Sequence, residues 1–279
     1  MTGIRQGRRL SLCGILAFLC MADFSVHAEM ERNAAEAETA LARIFAEQGV
    51  RGTFVLRDVK TGALTTHDAG RAATQFIPAS TFKIPNSLIG LETGAVKNVD
   101  EVLPYGGKPQ PFKAWEHDMP LREATQLSAV PIYQELACRI GLARMQEWVQ
   151  RLGYGNVEIG AVVDRFWLVG PLKISALEQT DFLARLVKGE LPKISAEHHA
   201  AVQEITVLEQ GDGYVLHGKT GWVFDTDPQL GWWVGWVERP GKPAVTFALN
   251  IDLPGKEKDV GKRIPLGKAC LRALGVLLP

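Results

Sequence analysis

Apolar positions along the chain change period several times, and each change marks an element. Between Met30 and Gln48 the apolar residues Ala34, Ala37, Leu41, Ile44 and Phe45 recur three and four residues apart, which predicts an amphipathic helix stopped by Gly49. Gly52–Val59 and Ala63–Asp68 then read as two strands joined by the tight turn Lys60-Thr61-Gly62. From about Thr81 to about Leu208 the signals are helical. One helix runs to a stop at Gly94, and a pair is punctuated by Gly141 and Gly153. Another opens on the capping box Ser175-x-x-Glu178, and a last one starts near Ser195. Three strands rich in Val, Trp and Phe follow at Gly213–Phe224, Gly231–Val237 and Ala244–Ile251. A helix from about Asp259 to Val276, kinked or interrupted by Pro265, closes the chain.

Short connections within each strand group (Lys60–Gly62, Asp225–Leu230, Glu238–Pro243) imply antiparallel hairpins. The order predicts an α/β fold of the α+β type: a five-stranded antiparallel sheet covered by the terminal helices, with an all-helical subdomain inserted mid-chain. Residues 29–80 and 210–279 would form the sheet-plus-helix region and residues 81–209 the helical region of one domain. A ligand would be expected in the cleft between them. Residues 1–28 stand apart. Arg5, Arg8 and Arg9 precede a short apolar stretch, Leu10 to Cys20, and Val26-His27-Ala28 ends on small residues, the pattern of a secretory signal. Cys20 follows Phe18-Leu19 rather than a small residue, so a lipid anchor is not expected. The expectation is export across the inner membrane to the periplasm.

Composition narrows the class. With 279 residues, 46% hydrophobic and 22% charged, the chain can bury a core without disulfide or metal staples and is not a disordered sequence. A net charge of +0 argues against nucleic acid as partner, since phosphate binding shows as a basic excess. No apolar run reaches the roughly 18 residues of a membrane span, so stable membrane insertion is not expected. Of the four cysteines, Cys13 and Cys20 leave with the leader. Cys138 and Cys270 fall in different predicted helices and read as two separately buried thiols, although sequence leaves their pairing open, as it does the oligomeric state.

Several motif matches lack the context their chemistry needs. Gly213-x-x-x-x-Gly218-Lys219-Thr220 fits the phosphate-loop expression, but Tyr214-Val215-Leu216-His217 and Gly221-Trp222-Val223-Phe224 are strand-forming where a loop and a helix are required. No G-x-S-x-G elbow and no H-E-x-x-H occur, and no metal site is expected; Glu197-His198-His199 reads as a solvated helix face. Ser80-Thr81-Phe82-Lys83 is the strongest local signal, because Ser80 is the only serine with a lysine three residues later. On a helix start that spacing puts hydroxyl and amine on one face. A serine needs a base to become a nucleophile, and a lysine serves if apolar surroundings keep its amine neutral. Lys219-Thr220-Gly221 is the second element. Its twin Lys60-Thr61-Gly62 is an ordinary turn, whereas Lys219 sits within a strand flanked by Gly218 and Gly221, where small residues let a ligand approach the backbone.

Taken in order, the motifs resemble those of the class D (oxacillinase-type) serine β-lactamases over nearly the whole chain after residue 28. Pro78-Ala79-Ser80-Thr81-Phe82-Lys83 resembles the nucleophile motif, Ser128-Ala129-Val130 the S-x-V motif and Tyr154-Gly155-Asn156 the Y-G-N motif. Phe166-Trp167-Leu168 with Ile174-Ser175-Ala176 is similar to the omega-loop segment, and Lys219-Thr220-Gly221 to the K-T-G motif. A transpeptidase would prefer S-x-N where Val130 stands, and a class A enzyme would carry an E-x-x-x-N pair that is absent between Asn156 and Glu178.

The resemblance implies hydrolysis of the β-lactam amide of penicillin-type antibiotics, and hence resistance to them, through an acyl-enzyme on Ser80. No cofactor is implied beyond CO2 held as a carbamate on Lys83, which would be the general base. Trp167 would donate its indole N–H to that carbamate, and Ser128 would pass a proton to the lactam nitrogen under the influence of Lys219. Backbone N–H groups of Ser80 and Trp222 would form the oxyanion hole. Lys219, Thr220, Gly221 and Arg263 would hold the substrate carboxylate, with Lys262 and Pro265 leaving room for a one-residue slip at Arg263. Val130 and Leu168 resemble apolar lids over the lysine, and Trp115 an aromatic at the cleft mouth. The alternatives are a penicillin-binding D,D-peptidase or a β-lactam sensor domain, which share the serine–lysine chemistry and differ in how fast the acyl-enzyme hydrolyses.

Overall fold

The computed structural model describes residue 32 and residues 35–278, so the leader expected over residues 1–28 lies outside it. The chain opens with helix α1 (35–48), then strands β1 (Gly52–Asp58) and β2 (Leu64–His67) and a short helix α2 (Ala69–Ala73). A 3-10 turn, Ala79–Phe82, runs into α3 (Lys83–Glu92). A small ribbon of β3 (Val102–Leu103) and β4 (Met119–Pro120) leads to α4 (Leu121–Leu127), α5 (Val130–Ile140), α6 (Leu142–Leu152), α7 (Phe166–Val169), α8 (Ala176–Lys188) and α9 (Ala196–Ile205). Strands β5 (Val207–Gly211), β6 (Tyr214–Val223), β7 (Gln229–Arg239) and β8 (Lys242–Leu253) follow. A 3-10 helix, Lys256–Lys262, and α10 (Arg263–Ala273) end the chain. No helix among the described residues is long and apolar enough to cross a membrane.

The sheet has six strands, not five, in the order β2-β1-β8-β7-β6-β5, with every neighbouring pair antiparallel. The additional strand is β5. Sequence reading carried the helical signal through Leu208, but α9 ends where the Thr206 hydroxyl turns back to the Val202 carbonyl at 2.9 Å. Gly213, at φ +82°, then closes a hairpin onto β6. As a half-exposed edge strand β5 carries little hydrophobic alternation to betray it. At the other end, Pro265 does not kink α10. It lies in the first turn, where a missing N–H costs nothing because no carbonyl precedes it in the helix.

Both faces of the sheet are covered, which is why β7 is buried almost without interruption. Adjacent residues face opposite cores. Phe54, Trp233, Phe247 and Leu249 pack with Leu41 and Phe45 of α1 and Leu266 and Leu271 of α10. Val55, Trp232, Val234, Trp236 and Ala248 face the larger core, which runs on through α3, α5, α6 and α8. The predicted capping box forms: Ser175 N–H donates to the Glu178 carboxylate at 2.7 Å and Glu178 N–H to Ser175 Oγ at 3.2 Å. Cys270 is buried, but Cys138 is exposed, contrary to the expected pair of buried thiols. Its α5 neighbours Leu136, Ala137 and Ile140 take the inward positions and leave Cys138 on the outer face.

Candidate active site

The site forms where the sheet edge meets the first turn of α3. Strand β5 is shorter than β6: its pairing ends at Val207 opposite His217, and Gly218 N–H is taken by the Thr206 carbonyl at 2.9 Å. From Lys219 onward β6 has no strand on its outer side, and the 3-10 turn carrying Ser80 packs there. The fit demands a glycine. A Cβ on Gly221 would stand 2.9 Å from the Pro78 carbonyl oxygen and 3.2 Å from the Thr81 methyl, closer than either can yield. Ala79, just before Ser80, is held at φ +48°, a conformation that costs a non-glycine residue of order 1–3 kcal/mol. Three hydrogen bonds fix this segment. Thr81 Oγ1 donates to the Pro78 carbonyl at 2.8 Å, Gln179 Nε2 donates to Thr81 Oγ1 at 2.8 Å, and the Trp232 indole N–H donates to the Ile77 carbonyl at 2.9 Å.

Ser80 and Lys83 meet as their spacing predicts. Lys83 Nζ stands 3.0 Å from Ser80 Oγ, with the hydroxyl on the second residue of the 3-10 turn and the amine on the first residue of α3. Lys83 is 1% exposed and has no carboxylate against it among the described residues. Phe82 packs beside it in sequence, and the Tyr133 ring centroid lies 5.1 Å from Nζ. Burial therefore pushes the ammonium form well below the ordinary lysine range, and the charge of Lys219 adds to the shift. The Tyr133 hydroxyl is itself tied to Ser87 at 2.8 Å and Thr125 at 2.6 Å, which closes the pocket floor without offering Lys83 a charge.

The second serine–lysine pair faces the first. Ser128 ends α4 in the left-handed conformation at φ +57°, and Lys219 Nζ donates to its Oγ at 2.9 Å and to the Thr220 carbonyl at 3.1 Å. Lys219 is 4% exposed, and burial, with the nearby Arg263, brings it down to about 7. Arg263 begins α10 and reaches across the sheet. Its Nη1 donates to the Gly221 carbonyl at 2.6 Å and its Nε to the Val260 carbonyl at 2.7 Å, and burial lowers it to about 10. A Cβ on Gly231 would meet the Arg263 stem at 2.9 Å, so a glycine on β7 makes this path open.

Trp167 lies on α7, fully buried and stacked on Phe82 with ring centroids 5.6 Å apart. Its Nε1 is buried without a hydrogen-bond partner among the described residues. An indole N–H left unpaired in a dry pocket costs free energy, and an acceptor carried on Lys83 would satisfy it. A lysine whose ammonium form burial disfavours, and an orphaned indole N–H stacked on the residue before it, suit an acceptor at this position. Tyr154-Gly155-Asn156 holds the segment bearing Trp167. Asn156 exchanges backbone and side-chain hydrogen bonds with Lys173 at 2.9 Å and donates to the Pro171 carbonyl at 3.0 Å, while Tyr154 packs edge-on to Phe82.

A cavity of about 500 Å³ opens onto Ser80, Ser128, Thr220, Gly221 and Arg263. Trp115, Val130, Leu168 and Trp222 line it together with Phe112 and Phe224, two aromatics that no motif marks. Trp115 also donates its indole N–H to the Leu127 carbonyl at 3.0 Å, beside Ser128. Gln179, Tyr133 and Ser87 carry no motif; only their place in the fold brings them to the site.

Residues 52–271 match the penicillin binding protein transpeptidase domain, which defines the broad class. Closer relatives narrow it. Beta-lactamase OXA-5 of Pseudomonas aeruginosa is 45% identical over 217 residues, covering 77% of this chain and 80% of that protein. Beta-lactamase OXA-48 of Klebsiella pneumoniae is 38% identical over 228 residues, covering 82% and 85% respectively. Among solved structures, the class D β-lactamase YbXI from Nostoc superposes with a TM-score of 0.82 at 40% identity, covering 85% of this chain and 99% of that one. The chain belongs to the class D serine β-lactamases.

Lysine burial has a measurable consequence. With a folded value near 7, Lys219 is bare at pH values where the unfolded chain still binds its proton, so stability rises with pH from about 7 toward the ordinary lysine range. Below about 7 the cost of burying the charged form is complete. Lys83 acts in the same direction. Urea denaturation in CO2-free buffer should show wild-type stability rising between about pH 7 and about pH 9, by up to ~1.4 kcal/mol per pH unit for each group. Lys219→Met should show a smaller rise; a slope unaffected by the substitution would mean that Lys219 keeps an ordinary proton affinity.

Proposed function

We propose that Ser80 is the nucleophile that opens the β-lactam ring and that Lys83 carries the general base. The observation that supports this best is the 3.0 Å contact between Ser80 Oγ and a lysine amine buried without a counter-charge. Ser80 Oγ adds to the lactam carbonyl, and the backbone N–H groups of Ser80 and Trp222 receive the developing oxyanion. As the C–N bond breaks, Ser128 gives its proton to the leaving nitrogen. Lys219 Nζ donates to Ser128 Oγ, which leaves the Ser128 proton free to point toward substrate. Arg263, Lys219 and Thr220 bind the substrate carboxylate at the open edge of β6. Water then hydrolyses the ester and releases Ser80. The carbamate formed by CO2 on a neutral Lys83 amine supplies the base for both halves of the reaction, and Trp167 Nε1 is the donor suited to hold it. Val130 and Leu168 close the apolar surroundings of Lys83.

Export to the periplasm is part of this proposal, supported by the basic and then apolar composition of residues 1–28. Mass spectrometry of protein recovered from the periplasm after brief exposure to a slowly hydrolysed β-lactam tests both assignments. The expected mass is that of the chain from Glu29 plus one ligand, with the adduct on the Ser80 peptide and none in Ser80→Ala. An adduct on Ser128, or retention of residues 1–28, would overturn the corresponding assignment.

Trp167→Phe tests the base. It keeps most of the ring's bulk and deletes the N–H, so the base is weakened without emptying the core. Deacylation should slow more than acylation, because water must be activated after Ser80 is consumed. The variant should accumulate acyl-enzyme, fall in kcat by about 10²-fold or more, and recover in part when bicarbonate is added. Equal slowing of both steps with no response to bicarbonate would contradict the role.

A further inference from the structure

Among the described residues only two charged side chains line the cleft, Arg263 and Glu257, and the reaction just derived uses the first alone. Glu257 lies in the 3-10 helix Lys256–Lys262, six residues before Arg263, on the same wall as Val260 and Gly261. Its neighbour Asp259 is already engaged, by Lys262 at 2.8 Å and by the Gly255 N–H at 2.7 Å. Arg263 is turned toward the Gly221 and Val260 carbonyls. Glu257 has no comparable partner among the described residues, and its carboxylate is exposed at the cleft. The same cleft is lined by the aromatic residues Phe112, Trp115 and Phe224. A cleft that offers a carboxylate and aromatic surface suits an organic cation, which gains from both the charge and the ring faces.

The position of Arg263 fixes which part of a substrate comes near. Arg263 holds the ring carboxylate, and in cephalosporins and carbapenems the adjacent ring carbon carries a variable substituent. With the carboxylate on Arg263, that neighbouring substituent would lie in the part of the cleft that Glu257, Val260 and Gly261 help to line. We propose that Glu257 is a specificity-determining residue that favours β-lactams bearing a cationic substituent next to the ring carboxylate. The inference rests on the carboxylate-binding role given to Arg263 and extends it to the neighbouring substituent.

Two cephalosporins with the same thienylacetamido side chain provide the test: cephaloridine, with a pyridinium on the adjacent carbon's methylene, and cephalothin, with a neutral acetoxy group there. The readout is the ratio of their kcat/KM values, or of their Ki values against benzylpenicillin turnover where either is cleaved too slowly to follow. Glu257→Gln should lower the cephaloridine-to-cephalothin preference about two- to fivefold, the range of an exposed ion pair. Glu257→Lys should lower it further, with the change carried by KM. The wild-type preference should also shrink at about 1 M salt, where the Debye length is about 3 Å. A ratio unmoved by both substitutions, with all three substrates turned over, would overturn the Glu257 assignment and leave the β-lactamase reading intact. Absence of turnover or inhibition with any of them would remove both.

Discussion

An amine buried without a counter-charge is costly to keep protonated, since the desolvation penalty for a lone ion is several kcal/mol even after relaxation. Lys83 is in that position, and the rest of the site follows from it. It is buried, the Tyr133 ring centroid lies 5.1 Å from its Nζ, and the Ser80 hydroxyl is its hydrogen-bond partner. The nearby charge of Lys219, also cationic, drives the amine further toward neutrality. A neutral amine is both a base and a nucleophile toward CO2, so one physical constraint would serve both of the roles proposed for Lys83. The orphaned N–H of Trp167 is the counterpart on the protein side.

The sheet turns that pocket into a reaction site. Because β5 stops short, β6 presents a backbone edge beside Ser80, and Lys219 on that edge reaches Ser128 from the opposite side. The strained φ of Ala79 and Ser128 shows that both serines are held against local preference by packing and hydrogen bonds. The pinning groups are Thr81, Gln179 and Trp232 for the first, and Trp115 through the Leu127 carbonyl for the second. Rigid, pre-oriented groups are what an oxyanion and a proton donor require.

Much of this was legible along the chain because it is local. Ser80 and Lys83 are three residues apart, the Ser175–Glu178 cap is self-contained, and the glycines at 141 and 153 end α5 and α6. Motif order supplied the pairing of Ser128 with Lys219, 91 residues apart in sequence, which no periodicity could. What stayed hidden depends on register and packing. Strand β5 is an edge with weak alternation, Pro265 reads alike as a kink or a first-turn residue, and Cys138 is exposed by the rotation of α5. Gln179, Ser87 and Tyr133 look like ordinary core and helix positions until α8, α3 and α5 are brought together. Glu257 is one acid among many until the last 3-10 helix is set against the cleft.

The proposed mechanism requires Lys83 to be a neutral amine that holds CO2. Carbon-13 NMR of the protein equilibrated with labelled bicarbonate reads it directly. A carbamate resonance present in the wild type, absent in Lys83→Ala and diminished in Trp167→Phe is the predicted result. A wild-type spectrum with no carbamate carbon at saturating bicarbonate, from protein that still hydrolyses β-lactams, would contradict it and leave the free amine as the base.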